Sequence, residues 1–397
     1  MAKQRDEPAE QVADLLRTAR RSLGLNFAFL SRMDGTTQHL EVVESGLPLL
    51  FRDGLQRAQR TSFCQAIMDG RLPAVMPNVK DFPEAMKLPS ARMPRIRSFV
   101  SVPVVLSDGS VYGTFCAGGF TADDKLSDRD EALMAVLAHA AAVIIEPDVH
   151  RRRRNVELEQ RYRPLIEAGG PAVLLQPIVD LATGRRVGAE ALSRFPQHWN
   201  EPPNECFADA GLIGERDGLE IQALRSAGAH LARVSGYVAM NVSPATLMTW
   251  ECQNALGQMP LDRVVLELSE HDQVEDYDAL HAVLKPLRAR GMRLAIDDVG
   301  AGFSSLRHIV ATDPDVIKLD RSIVTGLQDD HVLPVVVRSL VDLARGVRAV
   351  VVAEGVETAE DAATLAGLGV NLGQGWHFDR ATAPEDLRDS YGLMVAV

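Results

Sequence analysis

Five acids, an asparagine, a lysine and a glutamine recur through the second half of this 397-residue chain, each at or just after a short apolar run. The series opens at Glu190-Ala191-Leu192-Ser193-Arg194, where an acid sits among small and apolar residues with an arginine a short step behind. Asn241 follows residues 237–240, Glu267 follows 264–266, Asp297 and Asp298 follow 293–296, Lys318 follows 316–317 and Glu354 follows 350–353. A last run ends at Gln374-Gly375. A lone ionised carboxylate is costly to bury unless a cation or hydrogen bonds offset the lost water. Five brought together repel one another strongly, which a bound metal would relieve. Glu190 with Arg194 suits a metal beside a phosphate. Taken singly, the residues also have plainer readings: Asp297-Asp298 before Gly300 suits a turn, and Lys318 suits a buried ion pair.

The elements that must position these groups alternate. Between the apolar runs lie segments of helical spacing, such as Ala279, Val283, Leu284 and Leu287, or Val335, Val336, Leu340 and Leu343. Repeated strand and helix predict a closed α/β barrel of TIM type, in which functional side chains gather at the C-terminal ends of the strands. Ligands rich in oxygen, with no thiolate or histidine cluster, favour hard cations over zinc.

The length predicts two domains. A net charge of −12 and a pI near 5.4 argue against binding to polymeric nucleic acid or an anionic membrane, yet permit an anionic substrate held through cations. Cys64, Cys116, Cys206 and Cys252 show no paired spacing, so neither a disulfide framework nor a zinc knuckle is indicated, and reduced thiols in a cytoplasm are expected. No signal peptide is expected, and the apolar run at 132–145 reads as a buried helix too short to span a bilayer.

Residues 1–148 read as an α+β domain: an opening amphipathic helix, strands near 26–31 and 40–43, a proline-rich middle, then strands at 99–106 and 111–117 joined by a turn at 107–110. Thr61-Ser62-Phe63-Cys64, the segment 97–104 and the segment 108–116 resemble the GAF sensory domain. That resemblance implies a small-molecule pocket and a tendency to dimerise, but no residue here names a ligand. Cys64 or Cys116 could sense redox state or hold a chromophore; burial as core thiols is the plainer expectation. Residues 149–168, with the run Arg151-Arg152-Arg153-Arg154, read as a solvated helical linker that Gly169-Gly170-Pro171 ends.

Residues 169–397 resemble the EAL family of cyclic di-GMP phosphodiesterases. The likeness rests on Gln176-Pro177-Ile178-Val179-Asp180, Glu190-Ala191-Leu192, Asn241-Val242-Ser243, Glu267-Leu268-Ser269-Glu270, Asp297-Asp298-Val299-Gly300-Ala301-Gly302, Lys318-Leu319-Asp320-Arg321, Ala353-Glu354-Gly355-Val356-Glu357-Thr358 and Gln374-Gly375, in the family's order. It implies a modified TIM barrel with one strand reversed, cleaving cyclic di-GMP to linear 5′-pGpG with two Mg²⁺ or Mn²⁺ ions. Glu190, Asn241, Glu267 and Asp297 would hold one ion, and Asp297, Asp298 and Glu354 the other. Lys318 would orient water or stabilise charge, Glu354 would act as base and Glu270 would brace the loop carrying Asp298. Gln176, Leu192, Arg194, Asp320 and Gln374 would contact substrate, while His377 would pack.

The chain departs from the family at Val299 and Ala301, where a phenylalanine and a threonine are usual, at Leu175 for a frequent tyrosine and at Ala381 for a common proline. None removes a ligand. The expectation is a GAF-regulated phosphodiesterase, homodimeric through GAF and linker helices and the barrel. The alternative is a receptor that binds cyclic di-GMP without cutting it.

Overall fold

Apolar alternation builds an antiparallel sheet in the first part of the chain and near-continuous apolar runs build a barrel in the second. In the computed structural model, residues 5–46, 51–92, 95–300 and 305–391 are described. The chain divides into two compact units, Met1–Arg154 and Asn155–Val397, a division inside the segment expected as a linker.

The first unit is a six-stranded antiparallel sheet of β1 (Phe27–Met33), β2 (Thr37–Ser45), β3 (Leu55–Ala58), β4 (Val75–Met76), β5 (Ser98–Val105) and β6 (Val111–Gly119), in the order β3-β2-β1-β6-β5-β4. Gly109, at φ +79°, turns β5 into β6 where a side chain would be strained. The opening helix Glu7–Ser22 buries Val12, Leu16 and Ala19 against the sheet, and Asp6 caps it by accepting from the Ala9 N–H. Short helices, Phe63–Met68, Pro83–Lys87 and Pro89–Arg92, fill the proline-rich middle.

The closing helix and the expected linker form one helix, Asp128–Glu167. It holds an 18-residue window of mean hydropathy 1.7, long and apolar enough by composition to cross a membrane, with a third of that window buried. Met134, Ala138, Ala141 and Ile145 pack with the first unit's sheet. The expectation of a buried helix is corrected on the other face, where Val136 and Val143 are 68% and 60% exposed. A single sheet face covers only one side of a helix. The arginine run is exposed as expected, with Arg153 paired to Asp108 at 3.0 Å.

The second unit is a closed eight-stranded barrel of β7 (Ala172–Asp180), β8 (Arg186–Arg194), β9 (Tyr237–Asn241), β10 (Val264–Ser269), β11 (Arg293–Val299), β12 (Val316–Leu319), β13 (Val350–Ala353) and β14 (Leu372–Gly373). β7 runs antiparallel to both its neighbours, β8 and β14, and the remaining pairs are parallel. Helices such as Arg216–His230, Tyr277–Arg288 and Leu333–Val347 pack apolar faces onto the strands, while Ile178, Tyr237, Val265 and Val352 form a separate apolar group.

Candidate active site

Parallel register carries the acids to one rim. Glu267 lies beside Asn241, Ser269 beside Asp297, and Glu190, within the longer β8, lies level with Ala239 near the end of β9. Glu354 follows β13 directly, and its N–H donates to Leu319 O. Gln374 follows β14 in the same way, donating to Ala353 O.

At the centre stands Lys318, 1% exposed. Its Nζ is 3.2 Å from Glu190 Oε2, 3.1 Å from Glu267 Oε1, 3.1 Å from Asp297 Oδ2 and 2.6 Å from Glu354 Oε1. One ammonium cannot neutralise four carboxylates, so the group must hold protons or bind further cations. Glu190, Glu267 and Asp297 offer oxygens within 4.8 Å of one another, as do Asp297, Asp298 and Glu354. Two oxygen-only triads sharing Asp297 fit two adjacent hard cations. The Asn241 amide nitrogen donates to Glu190 Oε1 at 3.0 Å and to Glu267 Oε2 at 3.3 Å, so Asn241 borders the first triad.

The crowding shows in proton affinities. Burial pushes Glu267 well up, Lys318 pulls it down, and Glu190, Asp297 and Glu354 push it up again. Burial carries Glu354 up to about 8 against the pull of Lys318, with Asp297 and Glu190 adding to the rise. Asp297 and Asp298 are also raised, burial being the main cause in each. Glu190 is the exception: burial raises it, but Lys318, Gln374 and Asn241 together bring it below its ordinary value.

Asp298 is held in a strained backbone. Its φ is +62°, and the β11–β12 register slips between Ile296 and Val299. The bulge turns two successive acids toward the same rim. Asp298 Oδ2 accepts from Ser269 Oγ at 3.4 Å, and its N–H donates to Asp297 Oδ1 at 2.9 Å. Glu270, 4% exposed, accepts from the Gly300 N–H at 3.3 Å and so ties the residues just after Asp298 to β10. Gly300 itself sits at φ +110°, where an added Cβ would meet Ile323 at 2.8 Å. Val299 is buried at the end of β11, whereas Ala301 and Gly302 lie outside the described residues.

Two cavities flank the acids. The larger, about 500 Å³, takes in Leu192, Arg194, Asn241, Glu267, His271 and Asp298. The smaller, about 240 Å³, takes in Gln176, Glu190, Leu192, Glu354, Gln374 and Trp376. Gln374 Nε2 donates to Glu190 Oε2 at 2.6 Å and to Gln176 Oε1 at 3.1 Å, so these expected contact residues also hold the Glu190 carboxylate in place. Asp320 caps the short helix Arg321–Val324, its Oδ1 accepting from the Ser322 N–H. His377 packs edge-on against Phe378, as expected.

Two features of the rim lie outside the expected site residues. Trp376 is 55% exposed at the rim, with the guanidinium carbons of Arg380 and Arg321 at 4.3 Å and 5.8 Å from its ring centre. Glu220, on the helix Arg216–His230, lines the larger cavity and accepts from Ser243 N–H and Oγ at 2.9 Å and 2.8 Å. An i, i+4 pairing with Arg216 was its visible signal.

Residues 159–381 match the EAL domain, more than half the chain. The chain belongs to the EAL family. Residues 7–146 match a GAF domain. Among relatives of this EAL protein, the probable cyclic di-GMP phosphodiesterase PdeB of Escherichia coli is 29% identical over 248 residues, covering 59% of this chain and 47% of that protein. An uncharacterised protein of Mycobacterium bovis is 28% identical over 294 residues, 67% of this chain and 94% of its own. The solved PaMucR phosphodiesterase in complex with c-di-GMP is 28% identical, with a TM-score of 0.51 over 58% of this chain and 100% of that one. The chain spans 47% and 36% of the first two curated relatives it matches, about half their length or less.

Proposed function

We propose that the EAL barrel hydrolyses cyclic di-GMP to linear 5′-pGpG with two divalent cations, Mg²⁺ or Mn²⁺. The observation that carries this reading is the pair of acid triads sharing Asp297, with Lys318 among four carboxylates. The phosphodiesterase relatives named above support the substrate class. Glu190, Asn241, Glu267 and Asp297 would hold one ion, and Asp297, Asp298 and Glu354 the second. Bound cations supply an acidified water and neutralise the phosphate and the leaving alkoxide.

The chain's own residues do the rest. Lys318 orients the attacking water and takes up developing negative charge. Glu354, whose Oε1 lies 2.6 Å from Lys318 Nζ, receives the water's proton. Arg194 grips a phosphate oxygen from the larger cavity, and Leu192, which borders both cavities, packs between the two halves of the ligand. Gln176, Gln374 and Asp320 complete the contacts. Glu270 keeps the Asp298 turn in place through Gly300.

The GAF unit regulates this reaction in a homodimer joined through GAF and linker helices and the barrel. The apolar residues Val136 and Val143, exposed on the long helix, support that pairing. Reduced, buried cysteines support a cytoplasmic setting.

The purified chain is incubated with cyclic di-GMP in Mg²⁺, Mn²⁺ or EDTA, and nucleotides are separated by chromatography. Metal-dependent appearance of pGpG is expected. Binding without cleavage in either metal would make the barrel a receptor.

A further inference from the structure

Two of the four thiols scattered through the sequence meet inside the first unit. Cys64, in the first turn of the helix Phe63–Met68, and Cys116, on β6, are 52 residues apart along the chain, yet their sulfurs are 3.3 Å apart. Both are buried, at 2% and 0% exposure.

Their surroundings are unlike those of a thiol packed only among hydrocarbon. Cys116 Sγ lies 3.2 Å from Ser101 Oγ and 3.2 Å from Thr114 Oγ1. Thr114 Oγ1 is 2.9 Å from Ser31 Oγ, which accepts from Gln38 Nε2 at 2.9 Å. All four partners are buried, and the sulfurs share a core cluster with Phe27, Phe29, Phe63 and Phe99. Polar side chains in such a core are costly unless they satisfy one another, and here the chain of hydrogen bonds ends on the sulfur pair. Burial raises the Cys64 thiol, but hydrogen bonds from Cys116, Thr114 and Gln38 and the charge of Arg57 outweigh it, leaving Cys64 at about 6. Burial and then Cys64 push Cys116 well up. An attacking thiolate beside a protonated partner is the arrangement that thiol oxidation chemistry uses.

We propose that Cys64 and Cys116 form a redox-active dithiol that hydrogen peroxide closes to an intramolecular disulfide. The sulfurs must approach by about 1.2 Å to reach the ordinary bond length of about 2.05 Å. Peroxide is the fitting oxidant because it is small and uncharged, whereas a bulky disulfide cannot reach sulfurs this buried. The Cys64 sulfur attacks one peroxide oxygen, the O–O bond breaks, and the departing hydroxide takes the proton released by Cys64. The resulting Cys64 sulfenic acid is attacked by the Cys116 sulfur; the S–S bond forms, the S–O bond breaks and a second water leaves with the Cys116 proton. Two thiols lose two electrons and peroxide becomes two waters. The new bond ties the helix Phe63–Met68 to a central strand of the sheet.

The full chain is treated with hydrogen peroxide while folded, quenched, then unfolded in an alkylating reagent and digested without reduction for mass spectrometry. The expected result is a fall from four alkylatable thiols to two, a peptide joining Cys64 to Cys116, and recovery of all four after dithiothreitol. Cys206 and Cys252, also buried, are internal controls. No joined peptide, or equal loss at all four cysteines, overturns the proposal. Cys116→Ser and Cys116→Ala should both stall Cys64 at the sulfenic acid, which dimedone captures when the peroxide-treated, quenched chain is unfolded in its presence. A Cys64 that carries no more dimedone than Cys206 after this treatment, in whichever variant folds, also overturns it.

Discussion

Lys318 Nζ lies 2.6 Å from Glu354 Oε1, closer than to any of the other three carboxylates it faces. The lysine holds together, without a metal, acids that would otherwise drive the strand ends apart. Lys318→Met should therefore destabilise the cation-free chain by ~3–5 kcal/mol, since it leaves buried carboxylates uncompensated. Added Mg²⁺ should recover much of that loss in a denaturant titration. Hydrolysis should fall by ~10²–10⁴-fold, the usual size of a lost proton-transfer or charge-stabilising group. Cyclic di-GMP affinity measured in Ca²⁺ should change far less; equal losses of affinity and rate would take Lys318 out of the chemical step.

Glu190→Ala removes an oxygen from the first triad and the acceptor that Gln374 and Asn241 share. Hydrolysis should disappear in Mg²⁺ and in Mn²⁺. Retention of most activity would overturn the metal assignment.

Cation binding should strengthen with pH. Glu354 rises from 4.5 in the unfolded chain to about 8 when folded, and Glu267 and Asp297 are raised as well. A carboxyl group raised by folding stabilises the fold at low pH, and that stability is lost as pH climbs through its folded value. Lys318, raised above 10.5, remains charged throughout this window, and Glu190, lowered, is already ionised. The cation-free barrel thus loses stability as pH approaches 8, where Mg²⁺ finds ionised ligands. The increase in Tm on adding Mg²⁺ should be larger at about pH 8.5 than at about pH 6. The Cys64 titration contributes equally with and without Mg²⁺ and drops out of the difference. An increase that shrinks with pH would contradict this account of the triads.

Asp298→Gly separates strain from charge. Glycine accepts a φ of +62° freely, so the variant should gain stability of about 1 kcal/mol while losing an oxygen of the second triad and, with it, hydrolysis. Asp298→Asn, tolerant of the same backbone, should lose activity without that gain. Thermal melts and the nucleotide assay on both variants check the pair, and a less stable glycine variant would show that the turn is not strained.

Much of the barrel was legible because its strands are short apolar runs that end in chemistry, and Glu190, Glu267, Asp297, Lys318 and Glu354 all converge as their spacing suggested. What the sequence left hidden depends on tertiary geometry. Nothing in the spacing of Cys64 and Cys116 tells of sulfurs 3.3 Å apart, because a helix and a strand bring them together through the sheet. The bulge that puts Asp298 at positive φ is a property of the β11–β12 pairing. The long helix reads in sequence as two pieces, a buried one and a linker, because its apolar residues concentrate at one end while its helical geometry continues through the arginines.

The reversed direction of β7 has a mechanical consequence. In a barrel of parallel strands the incoming polypeptide joins at the floor, away from the reactive rim. Here Ala172, the first residue of β7, is paired with Arg194, and Gln176 with Glu190. A pull or twist on residues 168–171 would reach Arg194 first and Glu190 next, without crossing the barrel's interior. The point where the chain enters and the point where the acids gather share one rim.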